Sequence, residues 1–232
     1  MAAVPLASAM FFLWSAAATS CLALPAPHLV AAAPVDCGIP PGVDPEDVRY
    51  QGQDGVVGLQ MANNEPTGVY VICPLASMAI SAETVQMDAQ QLVFINGTEA
   101  RPRLWTRVIV TDGARMTIWA VSMRDQTTPD ALGRYGSAMQ IFGHVAVYDS
   151  TFQSIWGDLG GAVSVDGGGS ASFFGCLFER NVAVRDGANL FSSGGAVGNY
   201  GGLSSFDRCT FRENLAEYDG GALLSSGARA VP

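Results

Sequence analysis

The residues that could carry chemistry are sparse and scattered. The acidic side chains of the second half, Asp125, Asp130, Asp149, Asp158, Asp166, Asp186, Asp207, Glu213, Glu217 and Asp219, form no Asp-Asp or Asp-x-Asp cluster. A glycoside hydrolase needs two carboxylates about 5–9.5 Å apart across one bond. A lyase needs a base, often helped by a cation held by several carboxylates. There is no lysine, and the only histidines are His28 and His144. His144 sits beside Val145 and reads as a strand-edge residue rather than a base. Asp166-Gly167-Gly168-Gly169 reads as a turn. No CxxC, phosphate loop or nucleophile elbow is present, so no metal and no cofactor is expected.

Composition narrows the partners. The chain has 232 residues, a formal charge of −9 and 14% charged residues. A nucleic acid would demand a basic surface, and an anionic bilayer a basic patch, so both are excluded as partners. Ample apolar content with low charge excludes a disordered chain.

The N-terminus reads as an export signal. Residues 1–35 carry no Asp, Glu, Lys or Arg, and Leu6–Leu24 is an apolar run followed by small residues. This is the layout of a cleaved signal peptide over residues 1–26, followed by a linker over 27–39. The alternative is an uncleaved membrane anchor, since 19 apolar positions just suffice to span. Apart from that segment no membrane span is expected. Cleavage removes Cys21 and leaves Cys37, Cys73, Cys176 and Cys209, an even number suited to an oxidising compartment. Of the three pairings, Cys37–Cys73 is preferred as a local loop. Asn96-Gly97-Thr98 is the single N-glycosylation sequon and makes Asn96 the glycosylation candidate.

The second half repeats. Phe152, Phe178 and Phe211 are 26 and 33 residues apart, and each is followed by Gly-Gly-Ala-[Val/Leu] at Gly160, Gly194 and Gly220. Asn181 and Asn214 lie three residues past their Phe. A fainter copy has Met123 at the Phe position. Short alternating runs split by glycine turns are strands rather than helices. Such a period predicts an all-β protein, a right-handed single-stranded parallel β-helix (solenoid) preceded by the N-terminal signal segment. Each coil would lie one ladder spacing, about 4.8 Å, above the last. Phe152, Phe178 and Phe211 would form an inward stack. Val121, Ser150, Cys176 and Cys209 would form a small-residue column beside it. Asn181 and Asn214 would adopt αL at a corner and bond to each other, and the glycine pairs would supply positive φ at the opposite corner.

Phe178-x-x-Asn181 and Phe211-x-x-Asn214, with Gly-Gly-Ala-[Val/Leu], resemble the repeat of the polymorphic outer-membrane protein family (Phe-x-x-Asn / Gly-Gly-Ala-Ile), within the pectin-lyase-like class. The resemblance covers about residues 116–227, and Ile155 replaces Asn in the first repeat. It implies a surface adhesin with a right-handed β-helix. Residues 40–115 match the repeat poorly, although Val69–Val71, Leu92–Ile95 and Val108–Val110 read as strands. They are assigned to an N-terminal cap and irregular early coils, and 116–232 to the repeated coils. A β-helix needs a cap on its last coil. The chain is therefore expected to be truncated, with downstream coils or another chain at an open C-terminal edge.

The spacing also places a candidate site. Long segments at Arg124–Tyr135 and Ala183–Ser193 alternate with the short corner Trp156-Gly157-Asp158. They would wall a notch with Trp156 and Asp158 on its floor and Arg134, Tyr135, Arg185, Asp186 and Asn189 along it. An aromatic face with orienting polar groups suits a sugar ring. The expected function is an exported or cell-surface binding module, non-catalytic, for an extracellular glycan or surface protein. The alternatives are a polysaccharide lyase or hydrolase, and a purely structural wall or coat component.

Overall fold

The structure, a computed structural model, describes residues 37–65, 67–74, 85–88, 90–97, 101–124, 138–184 and 193–227. The expected signal peptide, the linker up to residue 36 and the notch residues Arg134, Tyr135, Arg185, Asp186 and Asn189 lie outside the described residues.

The described chain is all-β, with parallel sheets compatible with a parallel β-helix and one short helix. Sheet A has seven strands: Val48–Gly52, Thr67–Ile72, Gln90–Asn96, Arg115–Trp119, His144–Tyr148, Ser170–Phe174 and Leu203–Asp207. Sheet B has five: Arg103–Leu104, Ser122–Arg124, Thr151–Gln153, Leu177–Glu179 and Thr210–Arg212. Sheet C has six: Val85–Met87, Val108–Val110, Met139–Ile141, Val163–Asp166, Val197–Tyr200 and Leu223–Ser226. Sheet D has three: Trp156–Gly157, Val182–Ala183 and Leu215–Ala216. From Val85 onward the chain visits C, A and B in that order, and from Thr151 onward D follows B. Strand neighbours in space are therefore one full pass apart in sequence.

The repeat residues stack as their spacing predicts. Met123, Phe152, Phe178 and Phe211 are register partners along sheet B. The rings of Phe152 and Phe178 lie 4.7 Å apart and those of Phe178 and Phe211 4.8 Å apart, stacked nearly parallel. Phe173 and Phe206 of sheet A meet this column edge-on, at 5.2 Å from Phe178 and Phe211 respectively. Edge-to-face contact sets each positive ring edge against a negative ring face. One pass earlier the column continues to Leu104, which the repeat pattern does not reveal. The segments at 69–71, 92–95 and 108–110 are strands and join sheets A and C in register with the later ones.

The asparagine ladder forms, with a different backbone. Asn181 Nδ2 donates to the Phe152 carbonyl and to Asn214 Oδ1, both at 3.0 Å, and its Oδ1 accepts from the Ile155 N–H at 3.1 Å. The left-handed residue at this corner is not Asn but the one before it: Ser154, Arg180 and Glu213 have φ of 54°, 53° and 55°. A second left-handed column, Arg101, Ala120, Asp149, Gly175 and Arg208, precedes the small-residue column. At the glycine corner the first glycine of each pair has positive φ, 88° at Gly160, 72° at Gly194 and 65° at Gly220. The second glycine is required by stacking, since a Cβ on Gly161 would stand 2.0 Å from the Gly195 carbonyl oxygen. The alanines that follow, Ala162 and Ala196, are fully buried.

The helix Gly55–Asn64 is an addition to the expected all-strand reading. Asp54 caps it, its carboxylate accepting from the N–H groups of Val56 and Val57 at 3.1 Å. Its buried Leu59 and Ala62 pack into the main core. A second small core, Val69, Val71, Cys73 and Phe94, lies on the opposite face of sheet A against Cys37 and Val43. The disulfide Cys37–Cys73 ties that segment down, with Cα atoms 5.6 Å apart.

Candidate binding surface

Strand alternation puts Val145, Val147, Met116, Ile118, Ala171 and Phe173 in the core. The intervening residues of sheet A therefore face outward. Register then assembles three outward columns. One is Asn96, Trp119, Tyr148, Phe174 and Asp207; the next is Phe94, Thr117, Ala146, Ser172 and Ser205, of which Phe94 lies in the second core; the third is Leu92, Arg115, His144, Ser170 and Leu203.

The first column is an external aromatic stripe. Trp119 stacks on Tyr148 at 4.5 Å and Tyr148 on Phe174 at 4.9 Å. All three are half-buried. Because the rings cover one another's faces, the stripe presents ring edges and the Tyr148 hydroxyl over about 10 Å, two ladder spacings. Burial raises the Tyr148 phenol above its ordinary value, so it stays a neutral donor. The floor beside it is small and polar, with Ser205 Oγ donating to Ser172 Oγ at 2.9 Å. The far edge offers charge and hydrogen-bonding groups, with His144 Nδ1 2.7 Å from Ser170 Oγ. His144 begins its strand on the exposed edge. Apolar rings beside a polar floor can desolvate one side of a sugar and orient its hydroxyls.

The two described residues of the expected notch part company. Trp156 is 48% exposed and heads an outward column with Val182 and Leu215, the last 59% exposed. Asp158 is fully buried, so it does not floor a solvent-facing site with Trp156. It acts instead on Tyr200, whose phenol is pushed above its usual range by burial and by the nearby Asp158 and Asp166 carboxylates. The Tyr200 hydroxyl donates to the Ser193 carbonyl at 3.2 Å.

Asp166 belongs to a polar chain, buried except at Arg107, on the face of sheet C opposite Val163 and Val165. Arg107 Nη2 donates to Gln140 Oε1 at 2.9 Å, Gln140 Nε2 to Asp166 Oδ2 at 3.4 Å, and Ser164 Oγ to the same oxygen at 3.2 Å. Burial raises the Asp166 carboxyl, and these donors oppose the rise. Register sets Asp166 opposite Tyr200 of the next pass. Among the described residues no group of three or more His, Cys, Asp or Glu is placed to hold a metal ion.

Comparison with known protein families, with curated proteins and with solved structures finds no match to this chain.

Proposed function

We propose that this protein is an exported, right-handed β-helical solenoid that acts as a non-catalytic adhesion module at a cell surface, binding glycan through its flank. The observation that carries the reading is the outward column Trp119, Tyr148 and Phe174 beside the small polar column Thr117, Ala146, Ser172 and Ser205. The three rings stay half in water along one outward line, and a binding face uses such a stripe as its apolar contact. The repeat similar to that of polymorphic outer-membrane proteins supports the same reading. Trp156 with Val182 and Leu215 supplies a second apolar strip on sheet D. No helix among the described residues is long and apolar enough to cross a membrane.

The test is a glycan array with the full secreted chain, run beside a polysaccharide-cleavage assay. Binding that Tyr148→Ala or Phe174→Ser reduces at least tenfold supports the stripe, and loss in Trp156→Ala assigns the contact to sheet D. Binding that survives all three removes the flank reading. Asp158 and Asp166, which both act on the Tyr200 phenol, make a hydrolase or lyase the second reading. Product release that Asp166→Asn abolishes would establish it in place of adhesion.

A further inference from the structure

The strand register sets Asn96, the acceptor of the sequon, at the foot of the aromatic stripe. Asn96 is the register partner of Trp119, on the same outward face. Trp119 gives one ring face to Tyr148 at 4.5 Å. Its other face turns toward the neighbouring strand, where Asn96 stands about 4.8 Å along the ladder. Asn96 is partly exposed, and its amide makes no hydrogen bond to another described residue. The corner holding it is fixed: the Gly97 N–H donates to the Trp119 carbonyl at 2.7 Å, and a Cβ on Gly97 would stand 2.0 Å from the Ala120 carbonyl oxygen. The chain therefore aims the Asn96 side chain outward beside an indole face that no other described ring covers.

We propose that Asn96 carries an N-linked oligosaccharide whose first sugar packs its apolar face on Trp119, adding one more layer to the Trp119–Tyr148–Phe174 stack. This rests on the export half of the proposed function and not on adhesion. The donor is an oligosaccharide linked to a lipid pyrophosphate. The bond from Asn96 Nδ2 to the sugar C1 forms, and the bond from C1 to the pyrophosphate oxygen breaks. The lipid pyrophosphate leaves with the electron pair, and the amide proton passes to the transferase's base. Sugar C–H groups on an indole face gain dispersion and quadrupole attraction. The first sugar lies at the ladder height where the next ring of the column would be.

The experiment expresses the full chain in eukaryotic secretory cells, once with its own N-terminal segment and once behind a heterologous cleavable leader. The second route presents Asn96 to the transferase whatever the native segment does. Failure of the first route alone therefore counts against export and not against the glycan. Mass spectrometry is expected to find Asn96 occupied and Asn96→Gln bare. Trimming the glycan to its first sugar is expected to leave the Tm unchanged. Removing that sugar is expected to lower it by about 2–4 °C, the shift of roughly one aromatic contact in a chain of this size. Trp119→Ala is expected to erase the difference and Trp119→Phe to keep part of it. If Trp119→Ala is not secreted, NMR of the trimmed wild type decides, with the first sugar's protons expected upfield over the indole. A bare Asn96 from the second route overturns the proposal. So does an equal Tm loss in wild type and Trp119→Ala, or sugar protons at solution shifts.

Discussion

Replacing Asn181 by alanine isolates the energetic weight of the corner ladder. Asn181 is fully buried, and its amide is the partner of the Ile155 N–H and the Phe152 carbonyl. Asn214 of the next pass stacks over Asn181, so water cannot take the amide's place. Each orphaned group costs roughly 1–3 kcal/mol, which puts Asn181→Ala at about 2–6 kcal/mol of destabilisation. Asn214 makes the equivalent bonds one pass later, to the Asn181 N–H and the Phe178 carbonyl, but it is only half-buried. Water can reach those partners once its side chain is gone, so Asn214→Ala is expected to cost about 1–2 kcal/mol. Asn181→Asp keeps the acceptor for Ile155 and replaces the donor that faces Phe152 and Asn214. It should be worse than alanine at pH 7 and recover as the carboxyl protonates at low pH. Urea unfolding of the three variants, with unchanged m values, is the assay. An Asn181→Ala loss below about 0.5 kcal/mol, or equal losses at 181 and 214, would refute the reasoning.

Other consequences can be checked in the same preparations. Cys37→Ser opens a loop with a sequence separation of 36 residues and is expected to cost about 4 kcal/mol, read as a lower urea midpoint that reductant reproduces in wild type but not in the variant. In the native reduced pair, iodoacetamide at pH 8 should modify half-buried Cys209 well before Cys176, whose thiol burial pushes up to about 12. Equal rates by peptide mass spectrometry would contradict that placement. Burial raises the Asp166 carboxyl above its ordinary 3.8. The stability conferred by its protonated form is therefore present below that value and is lost as pH rises through the folded pKa. Asp166→Asn should accordingly gain on wild type from pH 3 to pH 7 in urea titrations. A flat or falling difference would contradict the burial.

The parts of the fold carried by repetition were legible in the sequence. A Phe every 26 or 33 residues with a glycine pair behind it has few physical explanations other than stacking, and the Phe152, Phe178 and Phe211 rings stack. What was misread lies one residue away. Asparagine tolerates αL, yet Arg180 takes that conformation and the Asn181 side chain bridges passes. The helix Gly55–Asn64 was missed because Gly55, Gly58 and the β-branched Val56 and Val57 argue against it; the Asp54 cap and the packing of Leu59 override propensity. The outer stripe had a signal that went unused. Trp119, Tyr148, Phe174 and Asp207 each stand four residues before the sheet B column, at Met123, Phe152, Phe178 and Phe211. Reading the inward column alone hides the outward one, because a strand's two faces are set by the same register. The polar chain Arg107, Gln140 and Asp166 is not legible at all, since its members come from three passes and meet only once the register is known.

The most direct measurement is a set of ring-to-ring nuclear Overhauser contacts in protein labelled only at phenylalanine, with Phe178→Leu as the assignment control. The stacked-pass account predicts contacts from Phe178 to both Phe152 and Phe211, lost in the control, and a contact from Phe173 to Phe206 that the control keeps. Phenylalanine rings that contact only their sequence neighbours would contradict it.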